Sequence, residues 1–218
     1  MNDRQIMRAR QVAALVALCA GGAVLAQAGL NIARAAEKGQ TALESVLSMY
    51  GYFTIWTNTL VALVAGRYAL AGPGQGLFNR PATLAATTVY IIVVGSIYNL
   101  LLARYNPVTG FRLFIDTMLH SVVPIAYTGW WLLLVPRVRL EWRALLMALP
   151  FPTAYAVVAL ARGALTGKYA YFFIDIGKYG LPQVLVNIVL LVLFFAGLMA
   201  LVIALTRLRD RPQPSAPR

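Results

Sequence analysis

The chain has very few of the side chains that build metal and redox sites. It contains one histidine, His120, and one cysteine, Cys19, so it can form neither an intrachain disulfide nor a metal site of the usual histidine and cysteine ligands. Only 7 of its 218 residues are acidic, and none lies in the middle of an apolar run. We therefore expect no metal ion and no cofactor.

Charged residues of either sign are also scarce. They make up 12% of the chain, whereas 60% of the residues are hydrophobic; soluble domains are about half apolar and a quarter charged. The net charge of +12 does not indicate a nucleic-acid partner, because the basic residues lie in short segments between apolar runs, where they set membrane orientation. The composition predicts an integral membrane protein surrounded by bilayer lipids.

Six predominantly apolar runs are each long enough for the roughly 20 residues that a membrane-spanning helix requires. They cover residues 12–32, 52–72, 82–103, 117–135, 142–162 and 181–206. We predict an all-α fold, a bundle of six transmembrane helices over residues 1–207 followed by a disordered, proline-rich polar tail over 208–218. Of the 19 Lys and Arg residues, 12 lie on the side of the N-terminus, which predicts that both termini are cytoplasmic.

This topology sets Thr54 and His120 at similar depths. The second and fourth predicted helices both enter from the outer face, with Thr54 and His120 a few residues inside, so each lies within about 10 Å of the outer boundary. We expect the two side chains to be able to meet. A lone ionisable group in a span is functional by default, whereas a threonine in a first helical turn ordinarily caps the helix.

The residues around His120 support a polar site. Asp116 precedes it by four residues, so it lies on the same helical face and can orient the ring. Pro124 follows by four and has no N–H, so the His120 carbonyl loses its helical partner and the helix kinks. A freed carbonyl in a membrane needs another donor or water. We expect a polar, hydrated cavity beside the imidazole.

An aromatic segment between the fifth and sixth runs has two interpretations. Tyr169, Tyr171 and Tyr179 fit an interfacial aromatic belt, which is the commoner role of tyrosine near a membrane surface. Alternatively, Phe172, Phe173 and Asp175 form a lid over the cavity. The sequence alone favours the belt.

Three short segments resemble those of the androgen-induced protein family, a family of six-span membrane threonine hydrolases, and in particular its bacterial branch. The segments are "YFTIWTN" (52–58), "LHSVVPIAY" (119–127) and "LTGKYAYFFIDI" (165–176). The resemblance implies hydrolysis of lipid esters, such as fatty acid esters of hydroxy fatty acids, in a bacterial inner membrane. It also implies that Thr54 is the nucleophile and His120 the essential histidine.

The chain departs from the family pattern at positions that bear on the substrate. Tyr169 stands where the family has tryptophan, and Phe172 where it has proline. With Trp56, Phe173 and Asp175, these are the residues that we expect in the substrate pocket or its lid. The natural substrate and the oligomeric state are not specified by the sequence.

The implied mechanism is acyl transfer. His120 would take the proton of Thr54, whose oxygen attacks the ester carbonyl to give an acyl-enzyme that water hydrolyses. Asn58 lies one turn after Thr54 and is our expected donor to the oxyanion. Asp116 would orient His120.

A different class of function stays open: a carrier or binding protein for a lipid or small amphiphile, with His120 as a proton-linked gate. A carrier needs a polar path toward the cytoplasm or broken helices near the midplane. The inner halves of the second and fourth helices, "LVALVAG" (60–66) and "WWLLLV" (130–135), show little of either. The sequence therefore favours a site on one side of the membrane.

Overall fold

The computed structural model describes residues 2–74, 76–105, 107–136 and 138–209, and within them it is helical and contains no strand. The helices are α1 (Asp3–Ala33), α2 (Ala42–Met49), α3 (Phe53–Ala71), α4 (Pro81–Ile97), α5 (Gly110–Thr117), α6 (Val123–Leu134), α7 (Arg143–Met147), α8 (Pro150–Thr166) and α9 (Ile176–Arg209). The all-α prediction is confirmed. Most of the tail predicted over 208–218 lies outside the described residues, although Leu208 and Arg209 belong to α9.

Four helical stretches of the described chain are long and apolar enough to cross a membrane. They are Asp3–Ala33, Pro81–Tyr105, Arg143–Thr166 and Ile176–Leu208. Exposed leucines cover their outer faces, such as Leu18 at 71% and Leu165 at 86% exposure, as expected where lipid is the solvent. The six predicted runs are largely helical, although the run 142–162 is divided between α7 and α8 by residues 148–149. The arrangement as six spans stays a prediction.

Helices α1 and α3 pack closely along their length because each presents small residues to the other. Gly21 of α1 faces Ala62, and Gly66 of α3 faces Ala17, so that a Cβ on either glycine would lie 3.7 Å from the opposing Cβ. Small residues at a helix interface let the backbones approach, which replaces the hydrophobic driving force that is missing in lipid. This contact fixes α3, the helix that carries Thr54.

The amphipathic helix α2 was not among the predicted runs. Thr41 and Glu44 form a capping box at its start, and its exposed face carries Leu43 and Leu47. The buried Ser45 donates a hydrogen bond to the Asn31 carbonyl at the end of α1, with an oxygen–oxygen distance of 2.7 Å. Helix α2 therefore lies across the same end of the bundle as the first turn of α3.

Helices α5 and α6 form one continuous helical stretch joined by a π turn over Met118–Val122. The Val123 N–H bonds five residues back, to the carbonyl that opens the turn, and Pro124 has no N–H. As a result the carbonyls of both Leu119 and His120 lack a helical donor. The loss at His120 follows from the sequence, whereas the loss at Leu119 arises from the π turn.

Helix α4 crosses this stretch at Gly95. A Cβ at that position would lie 3.1 Å from the Cβ of Pro124 and 3.2 Å from the His120 carbonyl oxygen. Both neighbours are rigid, one a proline ring and the other a backbone group. The close approach of α4 to the π turn therefore depends on the missing side chain.

We predict that Gly95→Ala destabilises the protein by about 1 kcal/mol, because a clash with rigid neighbours costs about 1–3 kcal/mol and outweighs the gain in helix propensity. Thermal unfolding in detergent measures it, with an expected fall of about 2–4 °C. The control is Gly129→Ala on α6, where a Cβ meets nothing within 4 Å. Equal unfolding temperatures for the two variants would contradict the tight crossing.

Candidate functional site

Thr54 and His120 meet at one end of the bundle. Thr54 lies in the first turn of α3, and His120 lies in the π turn before α6. The distance between Thr54 Oγ1 and His120 Nε2 is 3.2 Å, within hydrogen-bonding range. The structure therefore brings together the two residues whose depths agree in the sequence.

The protonation of the imidazole follows from the partners of its other nitrogen. His120 Nδ1 lies 3.0 Å from the Asp116 backbone carbonyl oxygen and 3.3 Å from its carboxylate Oδ1. Both oxygens accept hydrogen bonds, so we assign the proton to Nδ1. The lone pair of Nε2 then faces the Thr54 hydroxyl. His120 and Asp116 are only 12% and 16% exposed, so little water competes for these contacts.

Tyr98 packs flat against the imidazole. The ring centroids of Tyr98 and His120 lie 3.6 Å apart, with 12° between the ring planes. Tyr98 opens a second π turn, at the end of α4, so two π turns meet at this point. The stacking fixes the plane of the histidine ring. Nothing in the sequence distinguished Tyr98 from other tyrosines, although π turns often mark functional sites.

Two asparagines bind the carbonyls that the π turn and Pro124 leave free. Asn58 Nδ2 donates to the Leu119 oxygen at 3.2 Å, and Asn99 Nδ2 donates to the His120 oxygen at 3.0 Å. The carbonyl freed by the proline thus has a side-chain partner. These bonds tie the π turn to α3 and α4.

The position of Asn58 differs from our expectation of an oxyanion donor. Its amide nitrogen donates to both the Thr54 carbonyl, at 2.9 Å, and the Leu119 carbonyl, and the side chain is completely buried. Both amide protons are used in this way. Asn58 therefore holds the helices in place and has no amide proton left for another acceptor.

Tyr171 reaches the first turn of α3 from the segment between α8 and α9. Its hydroxyl oxygen accepts a hydrogen bond from the Phe53 N–H at 3.0 Å, and it also interacts with the side chain and backbone of Thr54. Burial raises the pKa of the Tyr171 hydroxyl, and its hydrogen bonding at the start of α3 opposes that shift only in part. Tyr171 is therefore protonated at neutral pH. The belt interpretation of this residue is wrong, since the hydroxyl points into the bundle.

A cavity of about 240 Å³ lies between α4, α8 and α9, and Thr54 is part of its wall. Most of its lining is apolar, including Phe53, Val94, Ile188, Leu191 and Phe195. The lining of this cavity is largely apolar, in contrast to the polar cavity that we expected beside His120, and His120 is not among the lining residues. The space next to the Thr54 hydroxyl is suited to a hydrocarbon chain.

Of the aromatic residues expected in a pocket or lid, Phe173 lines the cavity and Phe172 lies outside it, 38% exposed. Trp56 donates from Nε1 to the backbone carbonyl six residues earlier, at 2.6 Å, and is not part of the lining. Tyr169 packs against a glycine of α8. Asp175 accepts from a backbone N–H three residues later, at 3.1 Å, and so caps the first turn of α9. The last three residues therefore have structural contacts.

No cluster of three or more His, Cys, Asp or Glu side chains that could hold a metal occurs among the described residues. Comparison of the chain with protein-family models, with curated proteins and with solved structures gives no match. The chemistry of the site therefore has to be argued from its own geometry.

We predict that Asn58→Leu destabilises the protein by about 2 kcal/mol, because it leaves the Leu119 carbonyl buried without a donor. Chemical or thermal unfolding in detergent measures the loss. Thr59→Val is the matched control, since the Thr59 hydroxyl is half-buried and has only a long, 3.5 Å contact to Tyr50. If the two variants unfold alike, Asn58 does not hold the π turn.

Proposed function

We propose that the protein is a membrane-embedded hydrolase of lipid esters, with Thr54 as the nucleophile and His120 as its general base. The observation that carries the proposal is the 3.2 Å contact between the Thr54 hydroxyl and Nε2 of a histidine whose Nδ1 is held by Asp116. A nucleophile, a base and a group that orients the base form the arrangement that activates a hydroxyl. The resemblance of three segments to the androgen-induced protein family supports the same function.

The reaction proceeds in two steps. His120 Nε2 takes the Thr54 proton as the threonine oxygen bonds to the ester carbonyl carbon, and the carbonyl π electrons move to its oxygen. When the tetrahedral intermediate collapses, the bond to the alkoxide breaks, and His120 returns the proton to that leaving group. Water then attacks the acyl-threonine in the same way, with His120 as base, and releases the fatty acid. Asp116 keeps the imidazole in the required tautomer throughout.

The cavity supports an acyl chain as the substrate group beside Thr54. Its lining comes from apolar side chains of α4, α8 and α9, three helices that we place in the bilayer. A chain can therefore reach the threonine from the lipid without crossing water. Esters between a long fatty acid and a hydroxy fatty acid, or lipids of similar shape, have the chemistry that this space favours.

We further propose six membrane spans, with both termini cytoplasmic, in a bacterial inner membrane. The spans beyond the four apolar helices would be α3, 19 residues long, and the continuous stretch Gly110–Leu134. At 1.5 Å per residue α3 extends about 28 Å, close to the roughly 30 Å of a hydrocarbon core. These are the two stretches that carry Thr54 and His120. The site would then lie in the outer leaflet.

Thr54→Ala and His120→Gln should each lower kcat/KM for a long-chain lipid ester by at least about 10³-fold, because the hydroxyl is a weak nucleophile without its base. Thr54→Ser, which keeps the hydroxyl, should retain activity. The assay is the release of fatty acid by purified protein in detergent or in vesicles.

The control for these variants is Thr59→Val, one turn along α3 and away from His120. It should hydrolyse the ester like the wild type. Hydrolysis that survives in Thr54→Ala would exclude Thr54 as the nucleophile. A wild type with no esterase activity that still binds the lipid would favour the binding or carrier function instead.

We predict that Leu191→Trp makes the enzyme selective for short acyl chains. Leu191 lines the cavity, so the indole takes up the space that a long chain needs, and kcat/KM for a palmitoyl ester should fall at least about tenfold while that for an acetyl ester is kept. Leu190→Trp is the control, because Leu190 is 59% exposed on the outer face of α9. Equal effects of both variants on both esters would show that the cavity does not hold the acyl chain.

A further inference from the structure

We propose that Tyr171 is a catalytic residue of this reaction, with its hydroxyl donating a hydrogen bond to the oxyanion of the tetrahedral intermediate that forms on Thr54. The inference rests on the proposed function, since it concerns the same reacting atoms. It assigns the role for which Asn58 was expected from the sequence.

The hydroxyl of Tyr171 lies at the first turn of α3, beside the proposed nucleophile. It interacts with the Thr54 side chain and backbone, and it accepts the Phe53 N–H at 3.0 Å. Thr54 and Tyr171 are both part of the cavity wall, so an ester bound there contacts both. A donor near the nucleophile is aimed at charge that appears only in the transition state, and such donors contribute strongly to catalysis.

The surroundings of the hydroxyl strengthen it as a donor. Because Phe53 donates its N–H to the Tyr171 oxygen, the O–H of Tyr171 becomes more polarised and donates more strongly in turn. The same N–H belongs to the first turn of α3, whose unpaired N–H groups carry the positive end of the helix dipole. Negative charge on the substrate oxygen is therefore favoured at this position.

The other polar groups nearby are committed elsewhere. Asn58 uses both amide protons on backbone carbonyls. The Tyr155 hydroxyl donates to the Gly51 carbonyl at 2.8 Å. His120 Nε2 receives the Thr54 proton and is needed for the leaving group. The Tyr171 hydroxyl interacts with two other hydroxyls, those of Thr54 and Tyr155, and its O–H can turn from them to the oxyanion when it forms.

Packing holds the Tyr171 ring in place without help from its hydroxyl. The ring stacks on Phe173, with centroids 5.2 Å apart and 4° between the planes, and it contacts Tyr52 edge-on at 6.1 Å. A phenylalanine at this position keeps these contacts. The variant Tyr171→Phe therefore keeps the ring in place and removes only the hydroxyl, which is both the proposed donor and the acceptor of the Phe53 N–H.

No proton is transferred to or from Tyr171 in the proposed step. As Thr54 attacks, the carbonyl π electrons move to oxygen, and the Tyr171 O–H shortens its hydrogen bond to that oxygen. When the carbonyl re-forms, the bond lengthens again and the tyrosine is unchanged. The Thr54 proton travels only through His120.

The test compares Tyr171→Phe with Tyr52→Phe in the purified, full-length protein. Tyr52 is the neighbouring ring and is 46% exposed, so its hydroxyl is available to water and its loss should leave kcat unchanged. Tyr171→Phe should lower kcat about 10²–10³-fold, with KM within about threefold of the wild type. It should also weaken binding of a long-chain trifluoromethyl ketone, which forms a tetrahedral adduct with Thr54, by a similar factor. Binding of the matching fatty acid amide, which stays planar, should not change.

Two results would overturn the inference while leaving the proposed function intact. One is a kcat of Tyr171→Phe within about threefold of the wild type. The other is equal weakening of the ketone and the amide, which would give Tyr171 a packing role only. If Thr54→Ala is as active as the wild type, the proposed function fails and the role of Tyr171 fails with it.

Discussion

Pro124 has no N–H to donate, and the geometry around His120 depends on that absence. Together with the π turn before it, the proline leaves two backbone carbonyls without a helical donor. Asn58 and Asn99 bind these carbonyls and so draw α3 and α4 onto the π turn. The same contacts set the imidazole beside Thr54. Backbone carbonyls without a helical donor cost free energy in lipid, and the side chains that bind them hold Thr54 and His120 together.

The site has a polar part and an apolar part next to each other. On one side are Thr54, His120, Asp116 and Tyr171, linked by hydrogen bonds and shielded from water. On the other is a cavity whose lining is largely hydrocarbon. In such surroundings a hydrogen bond is electrostatically stronger than in water, and the charge that would develop in the proposed reaction has few competing dipoles. An ester with a long acyl chain satisfies both sides, which is why the geometry favours lipid-ester hydrolysis over transport along a polar path.

Part of this site follows from the sequence, and the reasons are physical. The depth of Thr54 and His120 depends only on topology and helix rise, so their meeting was predictable, as was the carbonyl freed by Pro124. The π turn was not, because an extra residue in a turn leaves no mark on the hydrophobic pattern. Asn58 was predicted to bind an oxyanion, whereas its amide binds the Thr54 and Leu119 carbonyls. The Leu119 carbonyl comes near it only when the helices pack, so the sequence does not show this contact. The contact of Tyr171 with the start of α3 was missed because its partner, Phe53, is 118 residues away in the sequence.

The most direct test of the account is to locate the nucleophile by peptide mapping after reaction with a long-chain fluorophosphonate. Such a probe bonds covalently to an activated hydroxyl, so mass spectrometry of the digested protein identifies the modified side chain. The account predicts an adduct on Thr54 in the wild type and none in folded His120→Gln. An adduct on another residue, or equal modification of Thr54 without His120, would contradict the claim that this histidine activates this threonine.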